Sequence, residues 1–113
     1  MVSEEYEITI KVGLDENKLP EILSWDASGA GNIGDKTIKA FLLSMFDAET
    51  RDTLKIDLWT KEFQVMEMDR FFYQTLRSMC DTYQKSTQNN ELAGAMRDFT
   101  KYFGEKTGII LPE

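Results

Sequence analysis

The sequence predicts an α+β fold: an antiparallel sheet of three to four strands, followed by a C-terminal two-helix hairpin packed on one sheet face. Three observations carry this. Apolar residues alternate with a period of two in the first half of the chain. The period changes to three and four residues from Met66 onward. Runs of strands are followed by a run of helices rather than alternating with them. The chain has 113 residues, enough for one domain spanning 1–113 with one hydrophobic core.

The first strand is marked by Tyr6, Ile8, Ile10 and Val12, which alternate with Glu7, Thr9 and Lys11. Gly13 and Asp15-Glu16-Asn17 break it. Pro20 to Asp26 is a weaker segment that reads either as a strand or as a short helix opened by proline. Gly29 to Asp35 reads as a loop. Thr37 to Asp47 and Asp52 to Trp59 are strands joined by Ala48-Glu49-Thr50-Arg51. A four-residue loop places Asp47 opposite Asp52, which sets Met45 against Leu54, Leu43 against Ile56, and Phe41 against Leu58. All six are apolar, so this register predicts a buried face. The other face holds Ala40, Leu42, Ser44 and Phe46 against Trp59, Asp57, Lys55 and Thr53.

Met68, Phe72, Leu76, Met79 and Tyr83 form one helical stripe, and Leu92, Met96, Phe99 and Phe103 form a second. Glu67 and Asp69 suit the start of the first helix and Lys85 its end. Asn90 is placed to cap the second, and Gly108 to end it. Phe72, Leu76, Phe99 and Phe103 are expected to close the core against Phe41, Leu43 and Ile56. Cys80 and the methionines of the stripe read as core residues.

Composition excludes several functions. The net charge of −7 opposes nucleic acid and anionic membrane surfaces. The chain has no histidine and one cysteine, so the usual catalytic base, the usual metal ligands and an internal disulfide are all missing. No catalytic residue, cofactor site or metal site is assigned. Asp26 to Thr37 lacks the acidic spacing of a calcium loop. The glycines at 29, 31 and 34 are not followed by the Lys-Ser/Thr pair and helix of a phosphate loop. The carboxylates fall on polar phases, and no serine has a partner base. No apolar run reaches the length of a membrane span, and the polar start has no signal-peptide pattern. A cytoplasmic location is the expectation.

Two tryptophans remain to be placed. Trp25 is assigned to the core. The hairpin register aims Trp59 away from the buried face, together with Ala40, Leu42 and Phe46. These four residues are the candidate interface, rimmed by charge and anchored by Trp59. The partners it implies are proteins, with self-association among them. A small ligand stays open as a partner.

Several segments together resemble one family. Leu14 to Ala27 is similar to its opening pattern of an acidic turn, a proline and a tryptophan-aspartate pair. Thr53 to Lys61 resembles its central strand. Arg70 to Leu76 and Met96 to Phe103 resemble its two helices. The family is that of the gliding motility-associated protein GldC of Bacteroidetes. The resemblance implies a non-enzymatic accessory role in gliding, in bacteria that also run the type IX secretion machinery. It transfers no catalytic or binding residue. The rival expectation is a chaperone-like or small-ligand-binding module.

Overall fold

A computed structural model of the chain describes residues 1–28 and 34–112. The chain divides into two compact units, Met1–Phe63 and Gln64–Glu113. Among its described residues the first holds five strands: β1 (Ile8–Leu14), β2 (Pro20–Ala27), β3 (Lys36–Ile38), β4 (Ala40–Phe46) and β5 (Thr53–Trp59). The second holds α1 (Val65–Thr87) and α2 (Asn90–Lys106). The α+β class and the order of elements, antiparallel strands and then a helical hairpin, are those the sequence predicts. Among the described residues the strands form two ladders, β1-β2-β3 and β4-β5, rather than one sheet of three to four strands.

Pro20 to Ala27 is a strand, which settles the choice the sequence left open. Its proline occupies the first position, where no ladder N–H is required. β1 and β2 pair from Ile8–Ala27 to Leu14–Pro20, with a register shift at Gly13/Leu14. Their turn is organised by Asp15, whose Oδ1 accepts from the N–H groups of Asn17 (2.8 Å) and Leu19 (3.0 Å). Leu23 is fully buried and faces Val12 on one side and Ile38 on the other. Trp25, expected in the core, is half-buried between Ile10 and Lys36 on the same face.

The segment predicted as one strand over 37–47 is interrupted at Lys39. Residues 36–38 pair with β2, and residues 40–46 pair with β5. The physical reason is a change of partner, which hydrophobic alternation does not record. The N–H of Thr60 donates to the carbonyl of Lys39 (2.8 Å) and carries the β4-β5 pairing past the break. The β4-β5 register is the predicted one at every position, from Ala40–Trp59 to Phe46–Thr53. Its loop is fixed by Asp47, whose Oδ1 accepts from the N–H groups of Glu49 and Thr50, and by Arg51 at φ 57°. Those backbone donors hold the Asp47 carboxyl below its ordinary pKa. Of the expected loop at 29–35, residues 29–33 lie outside the described residues.

α1 opens on a capping box between Gln64 and Glu67 and ends on Gln88 in the left-handed region. α2 is capped by Asn89, whose Oδ1 accepts from the N–H of Leu92 (3.0 Å). The expected cap, Asn90, lies one residue inside the helix, and its Oδ1 accepts from Gln84 Nε2 instead (2.8 Å). Gly108, at φ 78°, follows the helix end as expected. The seam between the helices is built from small residues: Cys80, Ala93, Thr100 and Gly104 are buried there. Cys80 Sγ lies 3.5 Å from Thr100 Oγ1, and the edge of Tyr73 packs over Gly104. The predicted stripes lie beside this seam, and together they form one apolar side of the hairpin. A separate opening of the hairpin carries the Arg97–Asp81 pair (3.0 Å) beside Tyr73, Arg77, Lys101 and Ile110.

Candidate functional site

The pairing of β4 with β5 puts Ala40, Leu42, Phe46 and Trp59 on one face, as the loop parity requires. They do not form one continuous patch. Ala40 lies directly opposite Trp59. Phe46 stands at the far end of β4, about 20 Å away at the rise of an antiparallel strand. Ser44 and Lys55 sit between them, and Lys55 Nζ lies 3.3 Å from Asp57 Oδ1 and 3.4 Å from Ser44 Oγ. Ala40 and Leu42 are half-buried, whereas Trp59 is 52% and Phe46 69% exposed.

At its Trp59 end the face opens into a cleft of about 300 Å³ lined by Leu19, Pro20, Asp57, Leu58, Trp59 and Lys61. Of these only Trp59 belongs to the sequence-based interface; Asp57 and Leu58 are its neighbours on β5, and Leu19, Pro20 and Lys61 come from outside the hairpin. They arrive because the β1-β2 turn closes on the end of β5. Lys61 N–H donates to the Pro20 carbonyl (3.2 Å), and Lys61 Nζ lies 3.0 Å from Asp15 Oδ2 and 3.7 Å from Glu21 Oε1. The N–H of Leu19 and then the Lys61 ammonium hold the Asp15 carboxyl below its ordinary pKa. The Asp15 carboxylate in turn raises that of Lys61. No sequence motif signals this closure, since Asp15 and Lys61 are far apart in the chain.

The cleft therefore offers an indole face, an aliphatic wall and one charge of each sign at its rim. It has the composition of a contact surface, an apolar centre inside a polar border. It contains no nucleophile with an adjacent base. Among the described residues no group of three or more His, Cys, Asp or Glu side chains is placed to hold a metal ion. Asp57, flanked by apolar neighbours in the sequence, faces Leu42 across the ladder and pairs with Lys55. Asp26, the head of the rejected calcium pattern, spends Oδ1 on the N–H groups of Ala27 and Gly34.

The helical hairpin has a second opening, of about 420 Å³, on its apolar side. Leu76, Tyr83, Leu92, Met96 and Phe99 line it, with Cys80 and Thr100 at its floor. No described helix is long and apolar enough to cross a membrane.

Comparison with known proteins adds one finding. No curated protein and no solved structure matches the chain. A family model described as gliding motility-associated protein GldC-like matches residues 20–109, which span β2 to the end of α2. The match covers most of the chain and both units, so the protein belongs to the GldC-like family of gliding motility-associated proteins.

Proposed function

We propose that this protein is a non-enzymatic accessory of bacterial gliding, acting in the cytoplasm of Bacteroidetes cells through protein–protein contacts, and linked through them to type IX secretion. Family membership supports the association with motility. The observation that carries the contact mechanism is Trp59. A tryptophan left half exposed beside a cleft, in a site without a nucleophile–base pair, suits recognition rather than chemistry. Ala40 and Leu42 extend that surface along β4, and Phe46 is a separate contact point at the hairpin tip.

The test is affinity purification of tagged protein from the native host, wild type beside Trp59→Ala. The variant is expected to keep its circular dichroism spectrum and to lose a specific co-purifying protein. A folded variant that retains every wild-type partner would remove Trp59 from the interface. A variant that unfolds would return it to the core.

The apolar opening on the helical hairpin supports a second reading, a chaperone-like or small-ligand-binding module. In that case an apolar fluorescent probe would bind the folded protein at the helices. Phe99→Ala would reduce its binding and Trp59→Ala would not.

A further inference from the structure

Strand β1 forms the end of its ladder, and its outer edge has no hydrogen-bonding partner among the described residues. The direction of each backbone group follows from one pair of contacts. Ser28 N–H donates to the Glu7 carbonyl (3.0 Å), and Glu7 N–H donates to Ser28 Oγ (2.9 Å). Glu7 therefore turns its backbone toward β2, and by alternation so do Thr9 and Lys11. The N–H and C=O groups of Ile8, Ile10 and Val12 point out of the sheet edge. From Ile8 to Val12 this edge has no proline and no bulge, since the register shifts only at Gly13/Leu14. Ile8 is 74% and Val12 41% exposed. Proteins seldom leave such an edge open, because it is a template for another strand.

The sequence of the strand selects the occupant. Outward-pointing residues must pair with outward-pointing residues, so a second β1 can pair antiparallel about a two-fold axis only at Ile8, Thr9, Ile10 or Lys11. An axis at Lys11 sets two ammonium groups face to face. An axis at Ile10 leaves Glu7 opposite Gly13, and one at Ile8 leaves Glu7 opposite Thr9 and sets Lys11 opposite Glu5, which precedes the Glu7–Ser28 bonds that hold the start of the strand to β2. An axis at Thr9 sets Glu7 of each copy opposite Lys11 of the other, twice over. It also sets Ile8 opposite Ile10 and Tyr6 opposite Val12 on the apolar face. Opposite charges directly across a ladder favour a register and like charges oppose it. Lys11 uses one ammonium proton on Asp35 (2.9 Å) and has two left for Glu7. Glu7 makes no ion pair among the described residues.

We propose that the protein forms a two-fold dimer through β1, with the strands paired antiparallel about Thr9 and Glu7 of each copy facing Lys11 of the other. The dimer carries a continuous six-stranded sheet in the order β3-β2-β1-β1-β2-β3. The contact is independent of the Trp59 cleft, and β1 lies outside the residues matched by the family model.

Cysteine scanning and charge reversal test it on the full chain. At the axis, paired Thr9 residues have Cα atoms about 4.5 Å apart, within disulfide range. Two Lys11 residues are offset by four positions, about 14 Å, which is out of range. Thr9→Cys is therefore expected to cross-link to a dimer under mild oxidation and Lys11→Cys to stay single; Cys80 is buried and does not contribute. Lys11→Glu should weaken dimerisation at least tenfold in sedimentation, and adding Glu7→Lys should restore it. Trp59→Ala should leave the dimer intact. A wild-type monomer at ~100 μM, cross-linking at position 11 in place of 9, or a double reversal that fails to recover the dimer would overturn the proposal.

Discussion

Two glycines of α2 offer a test in which one substitution is made in two environments. Gly94 and Gly104 both lie inside the helix, so replacing either with alanine gains about 0.8–1.0 kcal/mol of helix propensity. A methyl group at Gly94 would meet nothing within 4 Å. At Gly104 it would lie 2.6 Å and 3.0 Å from the Tyr73 ring and 2.9 Å from Ile110 Cγ1. None of these contacts can stand, so the ring and the tail after α2 must move. The Arg77 guanidinium carbon also lies over the Tyr73 ring, 5.9 Å from its centre. Overpacking of this kind costs about 1–3 kcal/mol. Gly94→Ala should therefore stabilise the helical hairpin by about 0.5–1 kcal/mol. Gly104→Ala, after the propensity gain, should destabilise it by up to about 2 kcal/mol. Urea denaturation followed at 222 nm gives both numbers, with the m-value as a check that the transition is unchanged. If Gly104→Ala proves as stable as Gly94→Ala, the Tyr73–Gly104 contact does not hold the helices together.

Three other outcomes are expected. The turn carboxylates Asp15 and Asp47 have depressed pKa values, so their contribution is full above the ordinary value of about 3.9 and is lost as pH falls through the lowered one. Lys61 is raised, so its contribution is full below about 10.4 and is lost as pH climbs through the higher value. Stability should be level between about pH 5 and 8, where the chain has no histidine to titrate. Lys61→Met should shrink the alkaline limb to the part that Lys11 carries through Asp35 and keep most of the acid limb, because the Leu19 N–H is the larger cause of the Asp15 shift. A sloping profile across pH 5–8 would refute this account. Both tryptophans lie in the strand unit, so fluorescence reports on that unit and helical dichroism on the other; coincident urea transitions are expected of a single domain, and separated ones would make it two. A fully buried phenylalanine costs about 3–5 kcal/mol on truncation, but Phe72 is 40% and Phe99 54% exposed. Each change to alanine should therefore cost about 1–2 kcal/mol, and a loss above ~3 at both would place these rings in a closed core.

The parts of the fold legible in the sequence are those in which local constraint and hydrophobic phase agree. The hairpin is the clearest case. Four loop residues fix the parity, and six apolar residues then meet on one face, so the whole β4-β5 register could be written down in advance. The helices followed from their stripes. Their seam did not, because small residues leave almost no hydrophobic signal: Ala93, Thr100 and Gly104 are buried because they let the backbones approach, not because they are strongly apolar. Cys80 is legible as an interior residue only because it lies beside Met79 of the stripe. Asn89 and not Asn90 caps α2, a choice the sequence does not carry because both are equally suited by type and only geometry distinguishes them.

The candidate site shows the same boundary more sharply. Trp59 could be aimed outward by counting pairs along the hairpin, and Ala40 beside it by the same count. The cleft next to Trp59 could not be foreseen, because its other wall comes from the β1-β2 turn. That wall depends on a carboxylate and an ammonium brought together by the fold of the whole strand unit. Asp15 already binds two backbone N–H groups of its own turn, so the turn keeps its shape without Lys61. The ammonium adds the link to β5. Lys61→Met should therefore leave the β1-β2 turn formed and loosen only its attachment beside Trp59. The expected sign is a red-shifted, more quenchable fluorescence from Trp59, measured in a Trp25→Phe background, with little loss of stability. An unchanged Trp59 spectrum would mean that backbone bonds, such as Lys61 N–H to the Pro20 carbonyl, close the cleft without the ion pair.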